Sequence, residues 1–152
     1  MRLLLLTAAL FLQAAPPATQ PTLPTQRWIL DIQAKNLDDI LSLYTPDAVF
    51  IDPGGTEATN PEQLRKFYLK IFATYDSDLT RGKGTIAIEG NPQVPGATAV
   101  ESAAYSEDLR TRATNTTAHI CGDYRFTFIL QKDGKWLISR MEWSPMKPCP
   151  TP

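Results

Sequence analysis

The stretch from Tyr124 to Ser144 constrains this chain more than any other part. It reads Tyr-Arg-Phe-Thr-Phe-Ile-Leu-Gln, then Lys-Asp-Gly-Lys, then Trp-Leu-Ile-Ser-Arg-Met-Glu-Trp-Ser. Two β-rich runs flank Asp133-Gly134, a dipeptide favoured where the central turn residues need positive φ. A two-residue turn would pair Tyr124 with Trp143, Phe126 with Met141, Phe128 with Ser139 and Leu130 with Leu137. Side chains alternate along a strand, so those residues share one face. The opposite face carries Arg125, Thr127, Gln131, Arg140 and Glu142, relieved by Ile129, Trp136 and Ile138. The first face needs a cover, and the segments able to supply one lie earlier in the chain.

Those earlier segments read as helices. Trp28, Ile29 and Ile32 form a stripe over residues 25–35, and Asn36 suits a helix stop. A short helix follows from Asp38, with Leu37, Ile40, Leu41 and Tyr44 as its apolar side and two aspartates at its positive end. A strand over Ala48–Ile51 then runs into Asp52-Pro53-Gly54-Gly55. The next helix has the clearest signals: Asn60 as cap, Pro61 in the first turn and Gln63 three residues after the cap. Leu64, Phe67, Tyr68, Ile71, Phe72 and Tyr75 repeat at helical spacing and need a sheet to pack on. From Leu79 onward the chain is β-rich. Strands are expected over Thr80–Glu89, bent at Gly82 and Gly84, and over Ala97–Glu107. Residues 108–118 are Thr-rich and read as a loop or a further weak strand. Helices first and antiparallel strands after them predict an α+β fold, with a curved sheet wrapped on the helices.

The chain has 152 residues and a formal net charge of −1, which suits one domain and speaks against a nucleic-acid partner. Residues 1–20 stand apart: Arg2, then the apolar run Leu3–Leu12, then Gln13-Ala14-Ala15 and a proline-rich leader. That is the outline of a secretory signal peptide, followed by a linker over 21–24. The run is too short to span a bilayer, so no stable membrane anchor is expected after its removal. Export would place Cys121 and Cys149 where a disulfide persists. A short curl over 145–148 would bring them together; two unpaired thiols are the alternative.

The run Gln26-Arg27-Trp28, Asn36-Leu37-Asp38-Asp39-Ile40 and Tyr44-Thr45-Pro46-Asp47-Ala48-Val49-Phe50-Ile51-Asp52-Pro53-Gly54-Gly55 resembles the nuclear-transport-factor-2-like superfamily. Its SnoaL-like and ketosteroid-isomerase-like members are the most similar. The helix Pro61–Tyr75 and the strand Lys135-Trp136-Leu137-Ile138 sit where that family has them, so the domain is placed at 25–147 with a tail at 148–152. The resemblance implies a cone-shaped curved antiparallel sheet enclosing an apolar pocket. It implies a homodimer too, expected through the face carrying Ile129, Trp136 and Ile138.

The isomerases of this family keep a general-base Asp at an Asp-Pro-x-Gly turn, and Asp52 occupies the matching position. A carboxylate beside apolar walls is stripped of water, which suits it to shuttle a proton. The same enzymes use a Tyr on the first helix and a protonated Asp on the penultimate strand as oxyanion donors. Trp28 and Phe126 stand at or next to those positions here; an indole N–H donates one hydrogen bond and a phenyl ring none. The pocket is expected to draw on Trp28, Tyr44, Phe67, Tyr105, Tyr124, Phe126 and Trp143. His119, the only histidine, reads as structural or exposed. No cofactor or metal set is indicated. The function expected is that of an exported domain binding a small hydrophobic molecule. The alternative is an isomerase or lyase that uses Asp52 as base.

Overall fold

The computed structural model describes residues 21–150, so the expected signal segment, residues 1–20, lies outside the described residues. Helix α1 spans Thr25–Ala34 and stops where Lys35 turns left-handed, φ 58°. Its stripe of Trp28, Ile29 and Ile32 is buried as the spacing predicts. Helix α2 is Leu37–Ser42, and strand β1, Tyr44–Ile51, leads into the short β2, Glu57–Ala58. Helix α3, Pro61–Thr74, begins as expected: the Asn60 side chain accepts a hydrogen bond from the Gln63 backbone N–H at 3.0 Å. Four long strands follow: β3 Tyr75–Glu89, β4 Thr98–Thr111, β5 Thr116–Leu130 and β6 Trp136–Trp143. The chain closes with β7, Lys147–Pro148.

These strands form one curved, unclosed sheet in the order β2-β1-β6-β5-β4-β3, with β7 added beside β5. All pairings are antiparallel except one, because β1 runs parallel to β6. The helices fill the concave side, and the core forms between them and Phe126, Phe128, Ile138 and Met141 of the sheet. β3 is bent between Arg81 and Gly84, where the ladder shifts register. A β-carbon on Gly84 would come within 2.6 Å of the Ala103 side chain and the Ser102 carbonyl, so the bend needs glycine there.

The hairpin departs from the expected register near its tip. The loop has three residues, closed by Gln131 donating to the Lys135 carbonyl, with Gly134 at φ 82°. A three-residue loop ends in a left-handed residue and offsets the strands by one position. Leu130 therefore faces Trp136 and Phe128 faces Ile138, and a bulge at Ser139 restores the expected Phe126–Met141 and Tyr124–Trp143 pairs. The offset turns Trp136 and Ile138 into the core, where Ile138 is fully buried. The expected dimer face is corrected accordingly: of its three residues, only Ile129 lies on the outer side. Of the two readings open for 108–118, a loop or a further weak strand, the strand holds for most of it, since β4 and β5 stay paired out to Thr111–Thr116.

β6 ends opposite Tyr124, so the lower half of β5 has a free edge, and β7 takes it through Ile120–Pro148 and Cys121–Lys147. Next to that pairing, Cys121 and Cys149 are joined in a disulfide.

Candidate functional site

The wide apolar stripe of α3 is only partly consumed by packing. Leu64 and Tyr68 are buried, whereas Phe67, Ile71 and Phe72 are only partly buried and face a cavity. This cavity, about 350 Å³, lies between α1, α3 and the concave side of β3 and β4 and is open on one side. Its walls include Trp28, Phe50, Phe67, Phe72, Tyr105 and Trp143. Of the residues expected to line a pocket, Trp28, Phe67, Tyr105 and Trp143 do so, with Asp52 at the rim.

The other three stand behind the wall. Tyr44 is buried, with its hydroxyl 2.6 Å from that of Tyr68 and 3.2 Å from the Met141 sulfur. Burial holds both phenols well above their ordinary pKa. Phe126 is buried beneath the Trp28 ring, edge to face at 5.6 Å. Tyr124 turns its hydroxyl to Glu101, at 2.7 Å. Glu101 is only 2% exposed, and it also accepts hydrogen bonds from Arg81 Nε and Thr25 Oγ1, both at 2.6 Å.

Trp28 lines the cavity with its ring but not with its donor. The indole N–H points to the Tyr44 and Tyr68 hydroxyls, at 3.1 and 3.2 Å, so it is committed inside the core. At Asp52, Oδ1 accepts the backbone N–H groups of Gly54 and Thr56, each at 2.8 Å. Those bonds fasten the Asp-Pro-Gly-Gly turn, while the side chain still borders the cavity. His119 is exposed and sits 2.6 Å from Asp108 on the neighbouring strand, apart from the cavity lining.

Glu107 went unnoticed in the sequence. It follows Tyr105 on the inward face of β4, lines the cavity, and takes a hydrogen bond from the Ser77 hydroxyl. Burial pushes its carboxyl pKa above the ordinary value of 4.5, against the opposing pull of Ser77. The one available signal was the two-residue period that places Glu101, Tyr105, Glu107 and Leu109 on one face. The raised pKa has a consequence for stability. The folded protein binds that proton more tightly than the unfolded chain, so stability falls as pH rises through the range above 4.5. Glu107→Gln should therefore have a higher urea midpoint than the parent near neutral pH. The gap should close by about pH 4. Equal midpoints across the whole range would contradict the burial of this carboxyl.

Gly122 fixes the ring of Tyr105. The two residues pair directly across β4 and β5, and a β-carbon at Gly122 would lie 2.6 Å from Tyr105 Cε1 and 2.9 Å from Ser144 Oγ. The ring lies against bare backbone, held in the cavity wall. Gly122→Ala should push it inward and cost about 1–3 kcal/mol, read as a lower urea midpoint.

A curved, unclosed sheet wrapped on helices beside an apolar cavity defines the class of fold. The sequence pattern of the SnoaL-like domain matches residues 25–138, and the chain belongs to that family. None of the curated proteins matches it. Among solved structures it is similar to a ketosteroid isomerase-like protein from Erwinia carotovora atroseptica. That likeness has 18% identity and a TM-score of 0.67, covering 82% of this chain and 92% of that one. It is also similar to a nuclear transport factor 2-like superfamily protein from Salmonella enterica serovar Typhimurium. There the identity is 20% and the TM-score 0.69, with 84% and 88% of the two chains covered. At such identities the likeness bears on the fold alone.

Proposed function

We propose that this protein is exported and binds a small, largely apolar molecule in the cavity between α1, α3 and the sheet. The observation that carries the reading is the cavity itself: about 350 Å³, open on one side and walled mainly by aromatic rings. That size and lining suit a small ligand. Export is supported by the apolar run at the N-terminus and by the Cys121–Cys149 disulfide. A thermal-shift screen of apolar metabolites tests the binding, with Ile71→Trp as a variant that fills the cavity. A ligand present at 100 times its Kd stabilises the folded state by about 2.7 kcal/mol. The parent should gain that stability and the filled variant should not. No shift with any compound, or equal shifts in both proteins, would overturn the proposal.

A second reading rests on the two carboxylates that border the cavity, Asp52 and Glu107. An isomerase or lyase would use Asp52 as base on an apolar substrate, with Glu107 as the group that holds a proton. Steroid isomerisation fits this chain poorly, because the Trp28 N–H is spent on tyrosines and Phe126 donates nothing. Loss of a single oxyanion donor costs about 100-fold or more in rate. Turnover of 3-keto steroids should therefore be absent or very slow, and robust turnover would show that another donor serves.

The homodimer remains part of the proposal, with its surface redefined. The outer sheet face brings together Val49, Val100, Ile129 and Leu137, all partly exposed. Ile129→Lys should give monomers in light scattering if the parent dimerises through that face.

A further inference from the structure

We infer that the cavity selects a hydrophobic amine in its ammonium form, seated against aromatic faces with Glu107 and Asp52 as its counter-charges. This rests on the proposal that the cavity binds a small molecule, and goes further by naming the ligand's charge.

The charged residues lining the cavity are Lys35, Asp52 and Glu107. Lys35 is not available to a ligand. Its ammonium donates to Asp76 at 2.6 Å, to the Tyr75 carbonyl at 3.2 Å and to the Phe72 carbonyl at 3.3 Å, which uses all three of its hydrogens. Arg110 and Arg112 also turn to Asp76, but both are about half exposed and neither lines the cavity. Solvent and salt screen such surface charges. Glu107 is different: the Ser77 hydroxyl is its hydrogen-bond partner among the described residues, and no basic side chain meets it.

The cavity wall therefore offers a ligand two carboxyl groups and, among the described residues, no basic side chain free to pair with it, so an ionised carboxylate ligand would meet like charge there. A cation would meet two complementary features. The rings of Trp28, Phe67, Phe72, Tyr105 and Trp143 line the cavity, and a ring that turns its face to a cation attracts it through its quadrupole. The Glu107 carboxylate supplies a charge-assisted hydrogen bond. A bound ammonium would also offset, by charge pairing, the desolvation that now favours the protonated form of Glu107.

The test uses three probes that share one ring and differ in head group: 2-naphthylmethylamine, 2-acetylnaphthalene and 2-naphthoate. Calorimetric titration of the disulfide-intact protein near neutral pH should rank the ammonium first, about tenfold tighter than the ketone. The naphthoate should bind weakest. Glu107→Gln should remove about tenfold of ammonium affinity and leave the ketone within about twofold. Trp143→Leu keeps an apolar wall but removes a π-face, and should weaken the ammonium more than the ketone. If the ketone binds and the ammonium is not preferred, the charge selection is wrong while the binding proposal stands. If the naphthoate binds tightest, the charge selection is also wrong. If no probe binds, the inference falls together with the proposal beneath it.

Discussion

Replacing Glu101 with alanine is expected to cost about 3–5 kcal/mol of folding stability, the largest effect of any single substitution considered. The carboxylate collects three donors from three elements: Thr25 at the start of α1, Arg81 on β3 and Tyr124 on β5. Removing it leaves a partly buried guanidinium and two hydroxyls around a void, and each unpaired group then pays its own desolvation. Arg81 is about a third exposed and recovers some hydration, which places the loss toward the lower end. Glu101→Gln keeps the shape and most of the acceptors, so it should cost much less. Tryptophan fluorescence in urea reads both variants, because Trp28 lies one turn beyond Thr25. A loss below about 1 kcal/mol for alanine would mean that the cluster is decorative.

The second large effect concerns the disulfide. Cys121→Ser combined with Cys149→Ser should lower the unfolding free energy by about 3–4 kcal/mol, the chain-entropy value for a cross-link spanning 28 residues. The cavity should feel the loss as well, since Met146 lines it and lies on the segment between Trp143 and Cys149. With the link gone, β7 is held to β5 by the Ile120–Pro148 and Cys121–Lys147 pairing and a long hydrogen bond, 3.4 Å, from the backbone N–H of residue 149 to the His119 carbonyl. Ligand affinity should fall together with the urea midpoint. An unchanged midpoint would mean that the linked tail adds nothing to the folded state.

Much of this architecture was legible in the sequence, and the misreadings have identifiable causes. α3 carried its own start signal in Asn60, Pro61 and Gln63, and its aromatic stripe pointed to a wall. The hairpin was legible as a hairpin, but Asp-Gly does not specify whether a loop has two residues or three. That one residue moved Trp136 and Ile138 from the outer face to the core. The Thr- and Arg-rich ends of β4 and β5 left loop and strand both open, because residues 116–119 are exposed on both faces and show no alternation. They are strands because each supplies the other with a ladder partner, which is a pairwise property and not a local one. The candidate site was half legible. The family resemblance pointed to a pocket drawing on Trp28, Phe67, Tyr105 and Trp143, yet the direction of an indole N–H or a phenol depends on its neighbours in space. Glu107 belongs to no motif, and its two-residue offset from Tyr105 at the end of the expected strand was the one sign that it points inward.

The one parallel ladder has a consequence for the order in which the molecule assembles and opens. β3, β4, β5 and β6 are successive neighbours, so each pairing closes a short loop. β1 instead meets β6 across roughly ninety positions of sequence, as in Phe50 with Met141. Closing so long a loop is slow until the partner strand already exists. The meander should therefore form early, and β1 should dock late, bringing Asp52 with it. The same seam is where the native molecule should part most readily. In hydrogen exchange, the amides of Phe50 and Ile51 should be released sooner than those at the centre of β4 and β5. Equal protection in β1 and β5 would point to a single cooperative unit. Early release would mark the β1–β6 seam as a place where the sheet opens locally while the β3–β6 meander stays folded.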